Sequence, residues 1–320
     1  MTAQQQGFFY RWQALECGHK PKEIAALLRA KEWQVVRHGA YAPREVLEGL
    51  DQAARHVLTV RAAVGNLDGL VFATHHSALA ALDVPLWGVD LGQVHVHRDD
   101  SRASRRSAGV VHHVGPLPES QIIEVKGLLV SIPERGVVDA SRTVGFEAGV
   151  VLADGARRLF EFDDDCAEEI LDRQRDWSHS VHSSRVLRFS DGRAQTVGES
   201  RARVLLARIG VPKPTLQREI RDAGEHLLGI TDFYIEEYDT AAEFDGRLKY
   251  GRALYEKTNR LDHEDIGDIV WQEKRREDSI RDEGSEMVRI VWSELDGRDR
   301  AVRARFDRAF ERVERRRRAS

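Results

Sequence analysis

Cysteine is scarce. The 320 residues hold two, Cys17 and Cys166, far apart and without the spacing of a metal site. That usage fits a reduced cytoplasm and gives no disulfide framework. No run of about eighteen apolar residues occurs, so a membrane-spanning helix is not expected. The polar start, Met1-Thr-Ala-Gln-Gln-Gln6, lacks the apolar stretch of a secretory leader. A glycine-rich loop of the kind that cradles nucleotide phosphates is also missing, so NTP hydrolysis is not expected. Neither sign of charge dominates: 49 basic and 53 acidic side chains leave a formal net charge of −4. The chain as a whole is therefore no generic polyanion binder. No internal repeat is visible.

What is present is a 41% hydrophobic, 32% charged chain, long enough for two or three domains. Element patterns alternate between helical and strand spacing, so an α/β (α+β) class is expected. Phe9 to Glu16 has helical spacing and stops at Gly18. Pro21 opens a second helix, where its missing N–H costs nothing. Ile24, Leu27 and Leu28 give that helix one apolar face. Trp33 to Ala42 then alternates around His38-Gly39, which predicts two short strands and a tight turn. This is the plan of a winged helix over residues 1–48. Lys20, Lys22, Arg29 and Lys31 lie on or beside its second helix, with Arg37 and His38 at the wing tip. Groups so arranged contact phosphate or base edges when a helix docks in a groove.

Residues 49–175 read as a mixed domain. Phe72 to Leu82 is helical, as are Arg135 to Ala140 and Phe146 to Leu159. Gln93 to His97, Val110 to Val114 and Leu128 to Ile132 read as strands. Histidines 75, 76, 95, 97, 112 and 113 reach one metal ion only if their strands are neighbours. Polar positions on half-exposed strands are the commoner explanation. Residues 176–197 turn polar and read as a linker. The basic clusters Arg102–Arg106 and Arg315–Arg318 read as a solvated loop and a frayed tail rather than as phosphate contacts.

Residues 198–296 carry the chemistry. The expected order is a helix over Ser200–Ile209, strands over Leu216–Ile220, Ile230–Tyr238 and Ala241–Gly246, a helix over Ile266–Glu283, and a strand over Met287–Trp292. An amphipathic helix and basic tail, 297–320, present Val302, Phe306, Phe310 and Val313 as one stripe. Glu243 and Asp245 sit two apart, which on a strand puts both carboxylates on one face. Asp232 lies on the preceding strand, where a hairpin brings it alongside. Three converging carboxylates repel one another unless a cation sits among them, and oxygen donors suit Mg²⁺ or Mn²⁺.

Two resemblances follow from these residues. Glu199-Ser-Arg, Gly210-Val-Pro, Gln217, Thr231-Asp-Phe233, Glu243-Phe-Asp-Gly246, Lys249-Tyr250, Glu273-Lys-Arg-Arg-Glu277 and Val288-Arg-Ile-Val-Trp292 resemble the PD-(D/E)XK nuclease superfamily. The closer likeness is to its very-short-patch-repair-like endonucleases. His38-Gly-Ala-Tyr-Ala42, His75-His-Ser-Ala-Leu-Ala80, Gly127 to Arg135 and Val138-Asp139 resemble the AbiEi family of type IV antitoxins.

The first resemblance implies a restriction-endonuclease-like mixed sheet flanked by helices, and divalent-metal hydrolysis of a phosphodiester. Asp232 and Glu243 match the two acids of its pattern. Asp245 stands where the pattern has lysine, a charge that Lys249 or Lys274 would supply from a neighbouring element. Glu199 would complete the metal shell through a water. Lys274 and Arg276 would contact the backbone phosphates; an ordinary charged helix face is the alternative for the 273–277 run. The second resemblance implies a winged-helix DNA binder joined to an antitoxin-type α/β domain, with a nucleotidyltransferase toxin as its partner. The expected function is a metal-dependent endonuclease on DNA, with RNA open. The alternative is a non-catalytic, DNA-binding regulator on a degenerate nuclease fold.

Overall fold

The computed structural model describes residues 7–67, 69–98, 104–222, 224–246 and 284–319. It is an α+β protein of two compact units, 1–190 and 191–320.

The first unit begins with β1 (Phe9–Tyr10), α1 (Arg11–Glu16), α2 (Pro21–Arg29), β2 (Trp33–Arg37) and β3 (Ala40–Pro43). The strands form an antiparallel sheet in the order β1-β3-β2. The turn at His38-Gly39 depends on Gly39, whose φ of +77° is open to glycine. Phe9 and Tyr10 are strand, not helix, because they pair with Tyr41 and Ala40 across β3. Helices α3 (Arg44–Glu48) and α4 (Gln52–Val64) follow. Leu58 and Ala62 of α4 close the core under the hairpin, with Phe8, Ala40, Ala42 and Leu47. The expected boundary at 48/49 is therefore crossed by a shared core.

The same unit continues through β4 (Val71–Ala73), α5 (His75–Ala81), β5 (Val94–Arg98), β6 (Arg105–Ser107), β7 (Val110–His113), β8 (Ile122–Val125) and β9 (Leu128–Ser131). These strands make a mixed sheet in the order β6-β7-β5-β4-β9-β8. Phe72 and Ala73, expected to be helical, belong to the central strand β4, and α5 starts only after Thr74. Helices α6 (Pro133–Ser141), α7 (Phe146–Leu159), α8 (Asp164–Arg173) and α9 (Ser180–Phe189) complete the unit. Helix α9 occupies the stretch whose polar composition suggested a linker. Its Val186 and Leu187 are buried, and Ser183 donates its hydroxyl to the Val138 carbonyl at 3.0 Å.

The second unit holds α10 (Val197–Arg208), β10 (Thr215–Arg221), β11 (Leu227–Ile235), β12 (Thr240–Asp245), β13 (Glu286–Val291) and α11 (Asp299–Ala319). The sheet runs β10-β11-β12-β13, antiparallel except for the parallel pair β12–β13. One face of it, with Phe233, Ile235, Ala242 and Ile290, packs on Leu205 and Leu206 of α10 and on Val302 and Phe306 of α11. The stripe expected on the last helix is thus its buried face. Its end is not frayed: Arg316 pairs with Glu286 at 3.1 Å and Arg317 with Asp239 at 2.6 Å. Arg105 and Arg106 lie exposed on β6, whereas Arg102 falls outside the described residues.

Candidate functional site

The acids of the second unit come together through strand register. Phe233 lies opposite Ala242, and Ala242 opposite Val288. Side chains alternate along a strand. Phe233 and Ala242 face the helix-covered core, so Asp232 and Glu243 face the other side. Tyr234, Ala241 and Met287 share that side and form a small cluster there. Register then places Glu243 directly beside Arg289. Asp232, Glu243 and Arg289 make one row across three strands, and Asp245 follows Glu243 on the same face.

Bonding fixes this row. The β11–β12 ladder ends at Phe233–Ala242, and two residues further on β12 the Phe244 N–H donates to Asp232 Oδ2 at 2.7 Å. Glu243 is buried, with Oε2 3.9 Å from Arg289 Nη2, and Asp245 Oδ2 is 3.9 Å from Arg289 Nη1. Sequence reasoning did not single out Arg289, although its place opposite Glu243 makes it the cation of the described site. Lys249, Lys274 and Arg276 lie outside the described residues.

Glu199 has a different task. It is the third residue of α10, and Thr196 caps that helix by accepting the Glu199 N–H at 3.1 Å. Its carboxylate accepts from Thr196 Oγ1 at 2.9 Å, from the Gln195 N–H at 2.8 Å and from Gln217 Nε2 at 3.2 Å. The Thr196 side chain and the Glu199 carboxylate together satisfy donors at the helix start, Glu199 reaching the Gln195 N–H one residue before the cap. Sequence reasoning expected Glu199 in a metal shell through a water; these bonds tie its oxygens to the helix start. Gln217 reaches it from β10 with a φ of +52°, a left-handed conformation unusual inside a strand.

In the first unit, Lys20, Lys22, Arg29 and Lys31 are exposed on or beside α2, and His38 is exposed at the turn. Arg37 is half-buried, and burial lowers its pKa while the Tyr10 phenol opposes that shift. It closes the hairpin beside the turn, opposite Ala40, and is half-buried there instead of standing clear.

The histidines are the larger surprise. Strands β5 and β7 are parallel neighbours, pairing His97 with His113, and α5 starts beside them. His75, His76, His95, His97 and His112 are all buried, so these are not half-exposed strand positions. His113 Nε2 and His95 Nδ1 are 3.0 Å apart, and the His75 ring stacks on His113 with centroids 3.9 Å apart. Burial pushes the pKa of His95 down to about 2 and those of His76 and His113 to about 4, and it holds His75 well below its ordinary range. The Asp139 carboxylate opposes the shift at His113. Burial thus favours the neutral imidazole, which carries a lone pair, at all four rings. Among the described residues, the group whose ligand atoms gather within 4.8 Å of one another is His75, His95 and His113, and not the acids.

No protein-family model matches the chain. It is similar to an uncharacterized protein of Mycobacterium tuberculosis, found in two strains. Each relative is 27% identical over 214 residues, covering 63% of this chain and 77% of the relative. Among the described residues no helix is long and apolar enough to cross a membrane.

Proposed function

We propose that the chain is a metal-dependent nuclease whose second unit hydrolyses phosphodiesters and whose first unit binds DNA. The observation that carries this reading is the row Asp232, Glu243 and Arg289 on the face of the sheet opposite its helix-packed core. Burying a carboxylate such as Glu243 is costly unless it is paired or used. The donor set fits a hard cation, since Mg²⁺ binds through one or two carboxylates and keeps several waters. Asp232 and Glu243 would hold it, with Asp245 at the margin. Bound there, Mg²⁺ or Mn²⁺ would supply Lewis acidity toward a phosphoryl oxygen and acidify water.

The chain's own groups do the positioning. The Phe244 N–H occupies Asp232 Oδ2 and so orients that carboxylate. Arg289 lies beside both Glu243 and Asp245, and its guanidinium would offset negative charge building on the phosphate. That role answers the lysine missing at position 245. Lys249 and Lys274 remain candidates for the same charge. The four-stranded mixed sheet supports the PD-(D/E)XK reading. The short hairpin sheet with α1 and α2 supports a winged helix, with Lys20, Lys22, Arg29 and Lys31 toward DNA. An antitoxin-type partner, a nucleotidyltransferase toxin, and a cytoplasmic location belong to the same reading.

The test is cleavage of supercoiled plasmid, single-stranded DNA and RNA with Mg²⁺ or Mn²⁺, comparing wild type with Asp232→Ala and Glu243→Ala. Cleavage that vanishes in both variants and with chelator supports the nuclease and identifies the substrate. A second reading, a non-cutting DNA-binding regulator, draws on one observation. Arg289 already neutralises part of the acid pair. A folded wild type that binds DNA and cuts none of the three substrates would favour it.

A further inference from the structure

We infer that His75, His95 and His113 form a second metal site, selective for Zn²⁺ or a similar imidazole-preferring ion, with its open position facing a half-open polar cavity. The site lies wholly in the first unit and owes nothing to the carboxylates of the second.

Three observations carry it. The first is convergence: the three imidazoles come from α5, β5 and β7, and their ligand nitrogens lie within 4.8 Å of one another. A tetrahedral zinc shell needs neighbouring nitrogens about 3.3 Å apart, from Zn–N bonds of about 2.0–2.1 Å. His95 Nδ1 and His113 Nε2 are already 3.0 Å apart. The torsion that turns each imidazole is soft, so drawing His75 inward needs no change of backbone.

The second is an unmet polar atom. His75 is only 3% exposed, and its Nε2 has no hydrogen-bond partner. Its other nitrogen, Nδ1, is 3.0 Å from Thr74 Oγ1. A metal-bound histidine characteristically donates its second ring N–H to a fixed acceptor, which sets the tautomer and aims the free lone pair at the ion. Thr74 stands in that place. His75 also holds a φ of +55°, a left-handed conformation that costs a non-glycine residue energy. The backbone is bent at the point where the ring must turn toward His113.

The third is access. A cavity of about 340 Å³ is lined by His75 and His113 together with Thr74, Asp139, Arg142 and Trp177. Three protein ligands with a fourth position open to a polar cavity leave room for water or a small anion. Imidazole donors favour Zn²⁺, Co²⁺ or Ni²⁺ over Mg²⁺, which prefers oxygen.

The experiment uses the full chain, stripped with chelator and titrated with Zn²⁺ alone, then with Co²⁺ as a visible-absorption probe. The Asp232→Ala/Glu243→Ala double variant serves as the background that removes the proposed carboxylate site. One Zn²⁺ should bind per chain in the double variant, undisplaced by excess Mg²⁺, and the wild type should keep that same Mg²⁺-resistant Zn²⁺. In His75→Ala, His95→Ala and His113→Ala the affinity should fall about 100-fold or more, since even outer-shell losses cost 10–100-fold. Substitution of the exposed His226 should change nothing. Should a histidine variant fail to fold, X-ray absorption on the zinc-loaded wild type decides without mutation. Three imidazole nitrogens at about 2.0–2.1 Å support the site. A shell of oxygens, no uptake of Zn²⁺, or uptake unchanged in the three variants would overturn it, leaving the nuclease proposal untouched.

Discussion

Asp232 and Phe244 are joined just past the last β11–β12 pair: the Phe244 N–H donates to Asp232 Oδ2 at 2.7 Å. One carboxylate thus ends a sheet ladder and lines the proposed site. The two roles separate by mutation. A hydrogen bond to a charged group contributes roughly 1.5–3 kcal/mol. Asp232→Ala should therefore cost about that much in denaturant unfolding and also abolish metal-dependent cleavage. Asp232→Asn keeps an acceptor oxygen and should recover most of the stability but none of the cleavage. Equal losses of stability in the two variants would mean that the bond contributes nothing.

Much of this site is legible in the sequence because strand arithmetic is local. Glu243 and Asp245, two apart, had to share a face, and Asp232 came beside them through a short hairpin. The alternation of Phe233 and Ile235 with Asp232 and Tyr234 also fixes which face is core. Arg289 was not legible, because its partner strand lies some forty residues on and parallel register is not written in either strand. The histidines failed for the same reason. His95 and His97 alternate like any half-exposed strand, and nothing local says that β7 lies alongside or that both faces of β5 are buried. The local bonds of Glu199 were not anticipated: its acid was assigned to chemistry before the donors at the start of α10 were counted. The polar 176–197 stretch hid α9 because Val186 and Leu187 are few, though both are buried.

Gly198 has a packing role next to the same strand. It lies near the start of α10, and a Cβ added there would overlap the Phe244 ring. That ring meets Trp292 edge-on with centroids 5.2 Å apart, which limits its retreat. Overpacking a filled core costs about 1–3 kcal/mol. Gly198→Ala should lower the Tm and alter tryptophan fluorescence, and a second change, Phe244→Leu, should restore part of the loss. A Gly198→Ala protein as stable as wild type would show that α10 can shift freely.

The Arg135–Asp139 pair beside the histidine cavity is a buried ion pair held at 2.6 Å, with both side chains about 5% exposed or less. Gln174 Nε2 donates to Asp139 at 2.8 Å, and Arg135 Nη1 donates to Gln121 Oε1 at 3.0 Å. Removing one partner of such a pair strands a buried charge and costs about 3–5 kcal/mol. Asp139→Ala should be that destabilising. The double variant Asp139→Ala/Arg135→Met should be clearly less damaging than the sum of its parts. Strict additivity in urea melts would deny the coupling.

If the first unit binds DNA through α2, the binding must depend on salt. Each neutralised phosphate contributes about −0.9 to the slope of log K against log salt on duplex DNA. Lys22 is exposed on α2, with Lys20 just before it and Arg29 in its last turn. Lys22→Ala should weaken binding to every duplex alike and reduce the slope by about one, without altering the fold. Val35 is the control: it is 60% exposed on β2 and carries no charge. Val35→Ala should leave the slope unchanged. Anisotropy titrations of a labelled duplex at several salt concentrations supply both numbers. If the Lys22 and Val35 variants share one slope with wild type, α2 is not the surface that meets the phosphates.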